Sequence, residues 1–178
     1  MVIAVRDLDR AARAFAVLGF TLTPLGRHSI GSRNHCIMLG STYLELLEPA
    51  GGHPWLAYYR DFVARGEGLA AIALATSDAD ASYRDLVAQG VPAQPPMDLA
   101  RPVDVRGEPI TARFRLVQVS PEKFLCQHLT RELLWRPEWQ SHANGASELV
   151  AADLPGGVLE LEGLTATVRL HGVELRPG

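Results

Sequence analysis

The chain states one pattern twice, and that repetition constrains its fold more than any other feature. IAVRDLDRAARAFAVLGF begins at Ile3, and IALATSDADASYRDLVAQGV begins at Ile72. Each spells a short apolar strand, an Asp-rich turn, an amphipathic helix and a glycine stop. In the first copy Asp7 or Asp9 can cap the helix. Ala12, Phe15 and Leu18 or Ala16 supply the inward stripe, and Gly19 ends it. In the second, which runs two residues longer to its glycine, Asp78 or Asp80 caps, Tyr83, Leu86 and Val87 face inward, and Gly90 stops the helix before Pro92.

Strand-like segments follow each helix. The first copy continues with FTLTPLGR, NHCIMLG and TYLELLE, the last two joined by a tight turn at Gly40-Ser41. The second continues with a Pro-rich passage (Pro92, Pro95, Pro96, Pro102, Pro109) and then TARFRLVQVS and KFLCQHLT. Between the copies, PWLAYYRDFVARGEG places Leu56, Tyr59, Phe62 and Val63 at helical spacing and predicts a connecting helix. LVAADLP, from Leu149, echoes the head of the first copy and is followed by GGVLELEG, TATVRL and GVELRP without a helix. The expectation is an α+β chain of two tandem strand-helix-strands units, residues 1–66 and 67–140, forming one compact domain. Residues 141–178 make a C-terminal β extension or the remnant of a third unit.

A length of 178 residues with 47% hydrophobic content is enough for one sizeable core. The net charge of -3 and the scattered basic residues give no footprint for nucleic acid. No apolar run approaches the length of a membrane span, and the charged N-terminus does not resemble a signal peptide, so a cytoplasmic protein is expected. The two cysteines, Cys36 and Cys126, lie in apolar runs without a CxxC partner and read as reduced, buried thiols. Nucleophile elbows, phosphate-cradling glycine loops, HExxH and dinucleotide fingerprints are absent from the sequence.

The chemistry-bearing anomaly is Glu45, inside the apolar strand STYLELLEP. Strand alternation sets Tyr43, Glu45 and Leu47 on one face and Leu44 and Leu46 on the other. A carboxylate buried there without a partner costs several kcal/mol, roughly, so it needs a cation, a strong donor or a wet cavity. Two readings stay open: a cavity carboxylate that acts as ligand or base, or a salt bridge to an arginine such as Arg33 or Arg113.

Two such tandem units, with a glutamate in a late strand, resemble the glyoxalase-like proteins of the vicinal oxygen chelate superfamily. The segments carrying the resemblance are VIAVRDLDRA, GSRNHCIMLGSTYLELLEP, GEGLAAIALATSDADA and FLCQHLTRELLWRPEWQSHANG, over roughly Val2 to Thr130. The resemblance implies βαβββ units whose curved mixed sheets enclose a cavity. It implies Glu45 as a metal-ligating or catalytic carboxylate, and a divalent metal (Zn, Fe, Mn or Ni) held between the units. Metal-binding members usually place a histidine ahead of the segment that reads MVIAV here, a position preceding Met1, and Leu69 to Ala71 offer none either. The natural chain begins further upstream or lacks that ligand. The chain as given is therefore expected to bind divalent metal weakly or not at all, with no cofactor assigned firmly.

Other candidates surround this core. His35 is either a second catalytic group or a hydrogen-bonded structural histidine, and Asn34 binds a substrate carbonyl or closes a turn. Gln127 and His128 lie on opposite faces of their strand, so only one can enter the cavity, and the sequence does not settle which. His28 is read as solvent-exposed, and Trp55, Tyr58 and Tyr59 as core packing. Trp135 and Trp139 are read as a connector, and His142 as a loop residue without a visible partner. Three functions compete. One is an enzyme performing isomerase, lyase or dioxygenase chemistry on a small oxygenated molecule. Another is a non-catalytic binding protein of the antibiotic-sequestering kind. The third is an interaction module pairing through its β extension, with which a homodimer is compatible.

Overall fold

The computed structural model describes residues 1–105, 107–154, 157–160, 168–170 and 173–177; residue 105 and residues 150 onward are described by backbone alone. The first unit contains β1 (Val2–Ala4), α1 (Leu8–Val17), β2 (Gly26–Arg27), β3 (Arg33–Leu39) and β4 (Thr42–Glu48). A 3-10 turn (Pro54–Leu56) and α2 (Ala57–Arg65) connect it to the second unit. That unit contains β5 (Gly68–Ala75), α3 (Ala79–Ala88), β6 (Met97–Val105), β7 (Glu108–Ser120) and β8 (Lys123–His128). A short helix, α4 (Pro137–Gln140), leads into β9 (Ala146–Leu154), β10 (Gly157–Glu160), β11 (Val168–Leu170) and β12 (Val173–Pro177).

Eight strands form one curved sheet in the order β2-β3-β4-β1-β5-β8-β7-β6, with each unit supplying four adjacent strands. The sheet nearly closes on itself: Ser29, just beyond β2, donates its backbone N–H to Ala100 of β6 at 2.9 Å. This is the α+β architecture of two βαβββ units expected from the repeat. The C-terminal strands form a separate sheet in the order β10-β9-β12-β11. Of the segments read there as strands, residues 156, 161–167 and 172 lie outside the described residues.

The repetition extends to individual hydrogen bonds. Asp7 Oδ1 caps α1 by accepting from Arg10 N at 2.8 Å, and Asp78 Oδ1 caps α3 by accepting from Ala81 N at 2.9 Å. The end of β4 supports α1 through Glu48 Oε2, which accepts from Leu8 N at 3.0 Å; the end of β8 supports α3 through Gln127 Oε1, which accepts from Ala79 N at 3.1 Å. Val5 N donates to Leu47 O, and Thr76 N to Cys126 O. Leu47 and Cys126 are thus structural twins, as are Glu48 and Gln127. Counting back along β4 and β8, the twin of Glu45 is Phe124.

Helix packing departs from the sequence expectation in both helices, and in α1 Ala16 is exposed as well as Leu18. Leu18 ends up at the C-terminal cap of α1, 46% exposed, while Leu8 and Phe15 carry the buried face. In α3 only Ala79 is fully buried, Tyr83 and Leu86 are half-buried, and Val87 is 49% exposed. The Pro-rich passage, not read as a strand, contains β6. Its Pro102 lacks an N–H, which a strand at the end of a sheet tolerates because only one of its sides must pair. Among the described residues, no helix is long and apolar enough to cross a membrane.

The twin hydrogen bonds make a testable statement about Gln127. Gln127→Ala removes a helix-capping acceptor and should lower stability to urea by about 1 kcal/mol, as loss of a cap does. Affinity for any ligand of the cavity should be unchanged, and a selective loss of affinity without loss of stability would contradict the assignment.

Candidate functional site

The inner face of the curved sheet closes around a narrow cavity of about 50 Å³, walled on its outer side by Trp55, Leu56 and Tyr59 from the connecting segment. β4 delivers Tyr43, Glu45 and Leu47 into it while Leu44 and Leu46 join the core under α1, as alternation requires. β3, paired antiparallel with β4 through Cys36 opposite Glu45, delivers Asn34 and Cys36. By the same alternation His35 faces the other way. Its Nδ1 lies 2.7 Å from Thr23 O, and it is not among the residues lining the cavity. Gln127 is likewise turned out: Oε1 holds Ala79 N and Nε2 donates to Ser77 O. His128 is the residue of that pair that enters the cavity.

Glu45 is buried, and its partner is neither Arg33 nor Arg113. Arg33 reaches Asp9 at 3.2 Å and Glu48 at 3.6 Å instead. Glu45 Oε1 accepts from Asn34 Nδ2 at 2.6 Å, and Asn34 Oδ1 in turn accepts from Arg101 Nη1 at 2.8 Å. Asn34 therefore stands between an anion and a cation and bonds both. The second oxygen of Glu45, Oε2, accepts no hydrogen bond among the described residues. Arg101, in β6, is 2% exposed and reaches across from the second unit. Its Nη2 lies 3.8 Å from Cys36 Sγ, and no carboxylate stands within ion-pair distance of it among the described residues.

Burial raises the pKa of Glu45 above the ordinary value, opposed by the Asn34 hydrogen bond and the Arg101 charge. His28, read from sequence as exposed, is buried beside this cluster. Burial and then the Arg101 charge lower its pKa to about 3, so it is neutral. Nε2 lies 3.4 Å from Asn34 Nδ2 and 3.8 Å from Glu45 Oε1, and Nδ1 lies 2.8 Å from Ser32 Oγ. One tautomer fits all of this: Nδ1–H donates to Ser32, and Nε2 accepts the second amide proton of Asn34. His128 is also neutral, its pKa lowered to about 4 chiefly by burial, and Tyr43 Oη lies 3.4 Å from its Nε2. His142 proves structural: Thr21 N donates to its Nδ1 at 3.0 Å, and its Nε2 lies 2.9 Å from Met38 O.

The two walls differ in character. The twin of Glu45 is Phe124, and the twin of Asn34 is Leu116, each set by equivalent pairing to the neighbouring strand. The first unit therefore presents acid and amide where the second presents apolar surface, with Arg101 as the second unit's one charged contribution to the cavity. A larger pocket of about 230 Å³ on the far side, lined by Arg131 and Trp135, shares Tyr43, Cys126 and His128 as common walls. Trp135 stacks under the Arg131 guanidinium at 3.6 Å, so of the two tryptophans read as a connector, Trp135 helps to build this outer pocket and Trp139 does not line it.

A divalent metal does not fit the donors at Glu45. Asn34 is already committed to a carboxylate and a guanidinium, the cation Arg101 stands just beyond it, and the second unit offers a phenyl ring at the twin position. Among the described residues, no group of three or more histidine, cysteine, aspartate or glutamate side chains could hold a metal ion.

A curved eight-stranded sheet built from two βαβββ units, enclosing a cavity with a buried carboxylate, defines a protein of the glyoxalase fold. Residues 1–172 match the glyoxalase-like domain family, and the chain belongs to it. A crystal structure of a hypothetical protein from Staphylococcus aureus superposes with a TM-score of 0.57 at 17% identity, over 84% of this chain and 67% of that one. Methylmalonyl-CoA epimerase, in complex with methylmalonyl-CoA and NH4+, superposes with a TM-score of 0.52 at 23% identity, over 72% of this chain and 91% of that one. No match is found among curated protein sequences. At these identities the two structures show the shared fold.

Three of the residues built into this cluster gave little signal in sequence. Arg101 sits among prolines, His28 sits in a Gly- and Ser-rich loop, and Gly26 lies in a strand only two residues long. A readable hint was the alternation of Leu99, Arg101 and Val103, of which the two apolar members are buried with the arginine between them.

Glu45 links this geometry to stability. Its folded pKa lies above the ordinary value of 4.5, so the folded state holds the proton longer, and stability falls as pH rises from about 4.5 through the folded value. Glu45→Gln removes that loss: its thermal midpoint at pH 7 should exceed that of the wild type, with the difference closing as pH is lowered toward 4.5. A midpoint below wild type at every pH would show that the charge is net stabilising through Arg101.

Cys36 and Cys126 have their pKa values pushed up to about 12 by burial. A thiol reagent at pH 8 should label both only at the rate at which the chain opens, and rapidly once it is denatured.

Proposed function

We propose that the protein binds a small oxygenated molecule in the cavity between its two units and moves a proton on the carbon next to a carbonyl. The observation that carries this reading is Glu45: a buried carboxylate with a raised pKa, one oxygen held by Asn34 and the other without a hydrogen-bond partner among the described residues. A general base needs that arrangement, because it must be fixed in direction yet keep a lone pair for the incoming proton. In the step, the substrate C–H bond breaks, its proton passes to Glu45 Oε2, and the electron pair moves onto the carbonyl oxygen as an enolate. Returning the proton to carbon completes an isomerisation or epimerisation with no net change in redox state.

The other groups serve this step. Asn34 orients the carboxylate, and neutral His28 fixes the amide of Asn34 by accepting its second proton. The aromatic and aliphatic wall around Phe114 and Phe124 excludes water, which strengthens every polar interaction inside. That a protein of the same fold is named an epimerase agrees with the reading. The apolar second wall also favours a second reading, a binding protein without chemistry, in which Glu45 only orients the guest.

The test is exchange of carbon-bound protons in D2O, followed by NMR, for small carbonyl compounds such as pyruvate and hydroxyacetone. Wild-type protein should accelerate exchange of at least one of them, and Glu45→Gln should lower that rate by about 100-fold or more, within the range of a lost general base. Binding without exchange would favour the non-catalytic reading, and exchange indifferent to Glu45 would remove the proposed base.

A further inference from the structure

We infer that the cavity is built for a short carboxylate, whose acid group is received by Arg101, with Gly26 as the position that keeps the guanidinium in place. This rests on the reading of the cavity as a ligand site and names the class of ligand.

The first observation is the isolation of Arg101. A guanidinium carries five N–H donors in a rigid plane matched to two carboxylate oxygens. Here its acceptors among the described residues are one amide oxygen, Asn34 Oδ1 at 2.8 Å, and one thiol at 3.8 Å, too weak an acceptor to stand in for oxygen. Burying an arginine this deeply without a bidentate acid is costly, and Glu45 is reached only through the intervening amide. Among the described residues no other carboxylate lines the cavity, so a bidentate acid for the remaining donors would come from a ligand.

The second observation is Gly26. A Cβ built there would fall inside contact distance of Arg101 Nη1 and Asn34 Oδ1, and 3.0 Å from Arg101 Cδ. Gly26 pairs with Asn34 across the β2–β3 ladder, and its backbone does not require glycine, since it is not among the positive-φ glycines. The missing side chain therefore serves the guanidinium: Arg101 crosses over bare backbone to meet Asn34. Gly26 is a positioning residue in this sense, acting through Arg101.

Volume limits the guest. A cavity of about 50 Å³ accommodates about three or four waters, so it admits only a very short molecule. A carboxylate on Arg101 would leave room for little more than a short carbon stem, and Glu45, joined to Arg101 by the single amide of Asn34, would lie within reach of that stem. A short 2-hydroxy acid, whose reacting C2–H is next to its acid group, and a short 2-oxo acid, whose reacting C3–H lies one carbon further along, both meet these requirements.

The test compares pyruvate with pyruvamide, its uncharged counterpart of the same size, by calorimetric titration of the wild type, Arg101→Met and Gly26→Ala. Thermal melts and circular dichroism confirm that each variant is folded. Pyruvate should bind the wild type at least about tenfold more tightly than pyruvamide. That preference should vanish in Arg101→Met and shrink several-fold in Gly26→Ala, which keeps the charge but displaces it. Should Arg101→Met fail to fold, Gly26→Ala decides the matter alone. Equal binding of the two compounds by the wild type, or a preference that survives in a folded Arg101→Met or undiminished in Gly26→Ala, overturns the carboxylate inference while leaving the cavity reading intact. Binding of neither overturns both.

Discussion

Everything in the centre of this protein depends on one chain of hydrogen bonds, from Arg101 through Asn34 to Glu45. Its ends belong to different units, so it crosses the place where the curved sheet would otherwise gape between β2 and β6. A direct ion pair would have let the two charges neutralise each other; the amide instead holds them apart while satisfying both. Charge is thus kept in a water-poor space with its donors and acceptors only partly used, a costly state that folding alone does not explain. The neutral imidazole of His28 completes the arrangement by taking the second proton of the same amide.

The duplicated backbone shows how such a site can arise without disturbing the fold. Twin positions that hold helices in place have kept their roles, as Glu48 and Gln127 both accept from the first turn of the following helix. Twin positions that face the cavity have diverged, with Glu45 answered by Phe124 and Asn34 by Leu116. Structural acceptors are constrained because an orphaned helix N–H carries a penalty in either unit. Cavity positions are constrained only by shape, so one unit can become polar and the other apolar. The result is a space with a reactive wall and a water-excluding wall, and the metal that the resemblance suggested has no second-unit carboxylate to meet.

Much of the fold was legible in the chain. The paired Asp caps, the glycine stops and the Gly40 turn are local signals, and Glu45 announced itself by breaking an apolar strand. The candidate site was legible on the strand that alternates cleanly, where Tyr43, Glu45 and Leu47 share the face that lines the cavity. The sequence left His35 open, for the lack of a marker distinguishing the two faces of β3, and left the choice between Gln127 and His128 open, since the partner of Gln127 lies 48 residues away. It failed at β6, because prolines conceal a strand whose outer edge needs no pairing, and Arg101 was concealed with it.

The sequence by itself determined what is local: two βαβββ units, their caps, and the presence of one carboxylate too apolar in its setting to be ordinary. Periodicity, propensity and turn chemistry act over a few residues and can be read there. Tertiary structure decided which cation answers Glu45, which histidines are neutral and which wall is apolar. Asn34 and Arg101 are separated by 67 residues, and only closure of the sheet brings them to 2.8 Å. Contacts of that span depend on the sum of the curvature of eight strands, a quantity that no stretch of the chain carries alone.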